Sequence, residues 1–151
     1  MTNLPNPDPL HGIELFHGLT GIQRDAISAI AVRQTYAADD IVLEQGSPGQ
    51  SLYVILDGQV EVSTRDASGI TRTRLFLGSG QIFGEFALLD GGQRSATILA
   101  DQDGTVLYRI DREPFLALCE QDTRLGYIVM RNLALDLAFK ARHRNAKEDD
   151  E

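Results

Sequence analysis

The residues best suited to chemistry lie in one segment of the sequence, Gly80-Gln-Ile-Phe-Gly-Glu-Phe-Ala-Leu-Leu-Asp-Gly-Gly-Gln-Arg-Ser-Ala-Thr97. Arg94 carries a fixed positive charge, and its planar guanidinium can grip two phosphate oxygens at once. Ser95 adds a hydroxyl donor beside it. These residue types predict a binding site for a phosphate group.

A short helix predicted over residues 85–89 would add backbone donors to this site. Gly84 lies just before it and lets a ligand come close to the backbone, because glycine has no Cβ. The first N–H groups of a helix lack internal partners and attract anions. Glu85 would repel a phosphate, so we interpret its carboxylate as an acceptor for sugar hydroxyls. One phosphate beside one ribose hydroxyl is the arrangement in a cyclic nucleotide.

The elements that must position this segment are mostly strands. Seven or eight short strands separated by turn signals are typical of a β-sandwich or barrel. The residues 52–56 are apolar on both faces, as expected of a covered strand. Asp57-Gly58 after them suits a type I′ turn, so the sequence predicts a hairpin with the strand that begins at Gln59.

Helices are predicted on both sides of the strands. Thr20 is a plausible N-cap for a first helix, and Asp111 for a short helix that carries Cys119. A longer helix is predicted from about Thr123 to Arg144. One face of it is apolar, with the residues Leu125, Ile128, Val129, Leu133 and Leu137.

Composition indicates a single domain. The 151 residues carry a net charge of −8 and one cysteine, which argues against nucleic acid as the main partner and excludes an internal disulfide. No apolar run is long enough to cross a bilayer, and no secretory signal is visible, so we expect a cytoplasmic protein without membrane insertion. We predict a flexible N-terminus at 1–10, one domain at 11–144 and an acidic tail at 145–151.

Two motifs together resemble the cyclic nucleotide-binding domain family, which includes the catabolite activator protein, the regulatory subunits of cAMP-dependent protein kinase and cyclic-nucleotide-gated channels. Phe83-Gly-Glu-Phe-Ala-Leu-Leu89 with Arg94-Ser-Ala-Thr97 is similar to the family's phosphate-binding cassette. Gly46-Ser-Pro-Gly-Gln-Ser-Leu-Tyr-Val-Ile-Leu-Asp-Gly-Gln-Val-Glu-Val62 is similar to its glycine-rich turn and the strands that follow. The resemblance implies a mainly β jelly-roll barrel of eight strands with an N-terminal helix and two C-terminal helices.

The resemblance also implies roles for individual residues. Glu85 would bind the ribose 2′-OH and Arg94 the cyclic phosphate, with Ser95 beside it and backbone from Gly84, Phe86 and Ala87. Gln93 replaces the family's usual proline before the arginine. The family's helix-borne hydroxyls that contact the base have no counterpart near Phe139 and Lys140, so these two residues are expected to form an apolar or cation–π lid over the base.

The resulting hypothesis is a stand-alone module that binds cAMP or cGMP and relays occupancy through its C-terminal helices to an effector protein or a second copy. We expect no catalysis, no metal, no further cofactor and no helix-turn-helix for DNA. Two alternatives stay open. One is an interaction module of the same fold that has lost its ligand, with Arg94 paired to Glu85 in an empty pocket. The other is a metal-dependent enzyme of the related cupin barrel.

Overall fold

The computed structural model describes the backbone of residues 7–149 and the side chains of residues 7–143. Within that part of the chain, eight strands form two antiparallel four-stranded sheets. The first sheet has the order β1 (Val32–Tyr36), β8 (Thr105–Asp111), β3 (Ser51–Asp57), β6 (Ile82–Phe83). The second has the order β2 (Ile41–Leu43), β7 (Thr97–Ala100), β4 (Gln59–Arg65), β5 (Thr71–Gly78). The predicted mainly β jelly-roll architecture is confirmed.

Helices precede and follow the strands in the sequence, and one short helix lies between β6 and β7. They are a 3₁₀ helix at Glu14–Phe16, α1 at Gly21–Ile30, a second 3₁₀ helix at Glu85–Leu88, α2 at Arg112–Gln121 and α3 at Thr123–Asp149. Thr20 caps α1 as predicted, within a capping box in which its hydroxyl accepts the Gln23 N–H at 3.2 Å. Asp111 occupies the predicted N-cap position of α2, but its side chain forms no capping hydrogen bond. Its carboxylate instead accepts hydrogen bonds from Ser51 Oγ at 2.7 Å and Arg109 Nε at 3.0 Å.

The predicted hairpin at Asp57-Gly58 is wrong. The strand before the turn, β3, pairs with β6 and β8, whereas the strand after it, β4, pairs with β5 and β7. Among the described residues outside glycine, a positive φ occurs at Asp39 and not at Asp57, so the turn is not type I′. The dipeptide carries the chain from one sheet to the other. A turn signal reports a local change of direction and not the strand with which the next segment pairs.

Two apolar clusters stabilise this arrangement. Inside the barrel, Tyr53, Ile55 and Leu107 of the first sheet meet Val60 and Ile98 of the second. On the outer face of the first sheet, Leu52 and Val54 pack against the helices. The alternation along β3 therefore buries both of its faces, as the apolar run at residues 52–56 predicts.

The long C-terminal helix is docked along part of its predicted apolar stripe. Leu125, Val129 and Leu133 are fully buried, while Ile128 and Leu137 are partly buried. Asn132 fixes the same stretch to the N-terminal segment, because its side-chain amide donates to the backbone oxygens of Leu15 and His17 at 2.9 and 2.8 Å.

The described residues near the two ends of the chain fall within the terminal segments predicted from the sequence. Within the segment predicted as flexible at 1–10, Leu10 is buried in the core and Asp8 forms an ion pair with Arg24 at 2.9 Å. Residues 1–6 lie outside the described residues. The acidic tail predicted at 145–151 lies outside them in its side chains, and the helical backbone of α3 continues to Asp149.

Candidate ligand-binding site

A cavity of about 230 Å³ opens between the two sheets and the segment that follows β6. It is lined by all six residues predicted to bind ligand, which are Gly84, Glu85, Phe86, Ala87, Arg94 and Ser95. Apolar side chains complete it, namely Leu43, Val62, Leu75, Leu77, Ile82, Phe83 and Ile98. The structure thus places the predicted polar residues at the edge of an apolar slot, which is the usual composition of a small-molecule site.

Arg94 is a buried cation without a counter-charge. The residue is 9% exposed, and within residues 7–143 its guanidinium forms no ion pair. Among the same residues, the guanidinium donates one hydrogen bond, from Nη2 to the backbone oxygen of Ser51 at 2.9 Å, and its buried Nε has no hydrogen-bond partner. Burial lowers the pKa of Arg94 from its ordinary value, because removal of water disfavours the charged form. A buried charge of this kind calls for an anion.

Backbone pairing holds Arg94 in place. Its N–H donates to Ser47 O and its carbonyl accepts the Gly46 N–H, both at 2.8 Å. Pro48 and Gln93 form an antiparallel bridge next to these bonds. The glycine-rich turn found in the sequence therefore supports the arginine directly. It also fixes the segment at Gln93, where the family's usual proline is missing.

Two glycines make room for the guanidinium. A Cβ at Gly49 would lie 2.2 Å from Arg94 Nε, and a Cβ at Gly84 would lie 2.8 Å from Nη1. Gly84 also has a φ of +78°, in the left-handed region that favours glycine. Gly49 and Ser51 were not among the predicted site residues. Their proximity to Arg94 depends on the pairing of distant segments, which spacing in sequence does not reveal.

The helix after Gly84 is shorter than predicted. It is a four-residue 3₁₀ helix at Glu85–Leu88, one residue shorter than the short helix predicted at 85–89. Ala87 is buried, and its N–H donates to Gly84 O at 3.1 Å. One 3₁₀ turn sums few peptide dipoles. The attraction for an anion therefore comes chiefly from Arg94.

The carboxylate of Glu85 is paired with α3 and not with Arg94. Lys140 Nζ lies 2.6 Å from Glu85 Oε1 and 3.0 Å from Asp136 Oδ2, one turn earlier on the helix. Burial lowers the pKa of Lys140, but the hydrogen bonds and charges of the two carboxylates outweigh that effect and leave it above its ordinary value. The pairing of Glu85 with Arg94 that a degenerate pocket would have is absent from the described residues.

The two residues predicted as a base lid lie in different places. Lys140 lines the cavity. Phe139 does not: it is 62% exposed and contacts the His143 ring, with centroids 3.8 Å apart and ring planes tilted by 30°. It borders a neighbouring groove between α3 and the N-terminal segment.

Other side chains considered in the sequence are structural or lie apart. Tyr53 is buried in the core and stacks on Phe83, with ring centroids 5.0 Å apart. Burial raises the pKa of the half-buried Cys119 thiol. Within the described part of the chain, no group of three or more His, Cys, Asp or Glu residues could hold a metal ion.

The fold and the cavity together define a class: a jelly-roll domain with an apolar slot beside a buried arginine that has no counter-ion among the described residues. The family model described as "Cyclic nucleotide-binding domain" matches residues 33–122. The chain belongs to the cyclic nucleotide-binding domain family.

Individual relatives agree with this assignment. The chain is 37% identical over 140 residues to the cyclic AMP receptor protein of Thermus thermophilus, covering 93% of this chain and 62% of that protein. It is 34% identical over 94 residues to a cAMP-dependent protein kinase regulatory subunit of Aspergillus fumigatus, covering 62% of this chain and 21% of that one. The crystal structure of the Thermus thermophilus catabolite activator protein superposes with a TM-score of 0.81 at 36% identity, over 90% of this chain and 62% of that chain.

The chain therefore spans less than two thirds of these relatives' length. Among residues 7–149, no helix has both the length and the hydropathy that a membrane span requires.

Proposed function

We propose that this chain binds a cyclic nucleotide, cAMP or cGMP, in the cavity beside Arg94. The observation that carries the proposal is the buried guanidinium without a counter-charge, cradled by Gly49 and Gly84. A singly charged cyclic phosphate would supply that charge and accept hydrogen bonds from Arg94, and Ser95 would donate from its hydroxyl. Backbone of Gly84, Phe86 and Ala87 would lie beside the phosphate.

Glu85 would read the sugar. Its carboxylate lines the same cavity as Arg94, so a ribose hydroxyl next to a cyclic phosphate could donate to it while the phosphate contacts the arginine. The purine base would occupy the apolar slot formed by β4, β5 and β7. Phe139, after movement of α3, would cover the base, while Lys140 lies on the Glu85 side of the same cavity.

The module would act as a sensor and not as an enzyme. Ligand contact with α3 would be relayed to an effector protein or to a second copy through that helix. We propose no nucleic-acid partner for this acidic chain and no cofactor beyond the ligand. The absence of a Glu85–Arg94 ion pair among the described residues favours binding over the alternative of a pocket that has lost its ligand.

Calorimetry with cAMP, cGMP and their 2′-deoxy analogues tests the proposal. We expect wild-type protein to bind a parent cyclic nucleotide, and Glu85→Gln to weaken that binding by roughly 1.5–3 kcal/mol, as for a hydrogen bond to a charged group. The same substitution should weaken the 2′-deoxy analogue much less. Equal losses for both ligands would refute the sugar role, and no binding of any cyclic nucleotide to wild type would refute the function.

A further inference from the structure

The contact between Lys140 and Glu85 has a geometry that bears on ligand binding. The lysine crosses from α3 to the cavity, and its ammonium hydrogen-bonds one carboxylate oxygen, Oε1. Among the described residues this is the sole ion pair of Glu85, whose side chain is 10% exposed. A carboxylate so far removed from water depends on that partner to compensate its charge and to stay in a fixed position.

The second oxygen of Glu85 remains available. Oε2 has no hydrogen-bond partner within residues 7–143 and is not among their fully buried unsatisfied atoms. A carboxylate has lone pairs on both oxygens and accepts from a lysine and a hydroxyl together. A ligand hydroxyl therefore has an acceptor while the lysine stays where it is.

Asp136 keeps the lysine in this position. It lies four residues before Lys140 on α3 and contacts the same ammonium at 3.0 Å. The ammonium is thus held between a carboxylate of its own helix and the carboxylate of the cavity. Since Lys140 is half exposed, solvent weakens the pair, and its contribution to affinity is moderate.

We propose that Lys140 is a positioning residue for the sugar-reading carboxylate. It holds the Glu85 carboxylate in place, with one oxygen presented to the ribose 2′-OH, and so makes recognition of that hydroxyl depend on the position of α3. This inference rests on the proposed function. It concerns the ribose, and it differs from a role of Lys140 as a lid over the base.

The test compares ligands that differ only in the 2′-OH. Calorimetry is run on Lys140→Met, which keeps the aliphatic stem, and on Lys140→Gln as a second uncharged variant. We expect the affinity for the parent cyclic nucleotide to fall by about three- to fivefold, the upper part of the range for a partly exposed ion pair. The affinity for the 2′-deoxy analogue should change by less than about twofold, so the preference for the 2′-OH falls.

Two further variants separate positioning from general effects on the helix. Lys140→Arg should restore most of the preference, because it retains a cationic donor. Arg142→Met removes an exposed positive charge from the same helix and should leave both affinities unchanged. Urea unfolding of each variant checks that the fold is intact.

Three results would overturn the inference. An unchanged ratio of parent to 2′-deoxy affinity would show that Lys140 does not act through the sugar contact. Tighter binding in Lys140→Met would show that the lysine competes with ligand. Failure of wild-type protein to bind any cyclic nucleotide would remove the proposed function as well, and this outcome is read from the wild-type titration alone.

Discussion

Replacing Arg94 by methionine should abolish ligand binding and yet stabilise the unliganded fold. Methionine retains an unbranched side chain of moderate length, but it removes a charge that is 9% exposed and has no counter-ion among the described residues. A residue kept only for the structure would have the opposite effect on stability. The substitution therefore separates a functional role from a structural one.

The size of the effect follows from opposing terms. Withdrawing a cation from water costs several kcal/mol even after relaxation. The substitution removes that cost, but it also removes the 2.9 Å hydrogen bond to Ser51 O, which lowers the free energy of unfolding by about 1–3 kcal/mol. We expect a net gain of about 1–2 kcal/mol in the free energy of unfolding of the unliganded protein, or a Tm higher by roughly 2–6 °C for a chain of this size.

Binding should respond in the opposite direction. A buried phosphate left without its counter-charge loses about 3–5 kcal/mol, which is an affinity lower by about 10²- to 10⁴-fold. Urea unfolding followed by circular dichroism gives the first quantity, and calorimetry with cAMP and cGMP gives the second. Arg33→Met, at an exposed arginine of β1, is the matched control and should change neither.

Either of two results would refute this reasoning. If Arg94→Met destabilises the unliganded protein by more than about 2 kcal/mol, Arg94 has a structural role. Interactions other than the hydrogen bond to Ser51 must then stabilise its buried charge. If the variant binds cAMP and cGMP as well as wild type does, the cavity beside Arg94 is not the ligand site.

Three further predictions concern Gly49 beside Arg94, Cys119 on α2 and the C-terminal half of α3. Gly49→Ala should weaken ligand binding at least tenfold without unfolding the protein, because the new methyl group would displace Arg94 at a cost of about 1–3 kcal/mol; unchanged affinity by calorimetry would contradict this. Cys119 should react slowly with iodoacetamide at pH 8 and faster in urea, because burial raises its thiol pKa and so lowers the thiolate fraction; equal rates would count against burial. Truncation after Leu137 should weaken binding with little loss of stability, whereas truncation after Met130 also removes the buried Leu133 and should cost about 2–5 kcal/mol, measured by urea unfolding.

Local patterns in the sequence were sufficient for the elements but not for all of their pairings. The capping box at Thr20 and the hydrophobic stripe of α3 depend on residues three or four apart, and both were predictable. The turn at Asp57-Gly58 was placed correctly, but it joins two sheets and not two paired strands. Which strand a segment pairs with is decided by contacts distant in sequence, and a dipeptide carries no information about them.

In the candidate site, too, some residues could be found from the sequence and others could not. The cassette residues were found because they are close together in the sequence and because they resemble a known motif. The other contacts join distant segments: Ser51 accepts a hydrogen bond from Arg94, 43 residues later, and Glu85 accepts one from Lys140, 55 residues later. Gly49 lies in the same segment as Ser51. The apolar stripe of α3 likewise did not reveal which part of the helix is buried in the core: Leu125, Val129 and Leu133 are, whereas Lys140 contacts the cavity.

Ligand-dependent movement of α3 should be confined to the half of the helix beyond Leu133. Up to that residue the helix is committed to the core, and Asn132 is bonded to two backbone oxygens of the N-terminal segment. Beyond it, Leu135 and Phe139 are exposed, and Lys140 provides a contact with the cavity. A segment with few buried contacts opens at low free-energy cost, and a ligand can shift its population only by the difference in affinity for its two positions.

Hydrogen exchange measured with and without saturating cyclic nucleotide should therefore slow over residues 134–142 and change little over residues 125–133. In Lys140→Met, the slowing over residues 134–142 should be smaller, because the contact between that half of the helix and Glu85 is lost. Uniform slowing along the whole helix would indicate that ligand stabilises the domain globally and that α3 does not move as a separate element. No change in either half would show that the helix does not sense the ligand, and the relay would then have to leave the barrel by another surface.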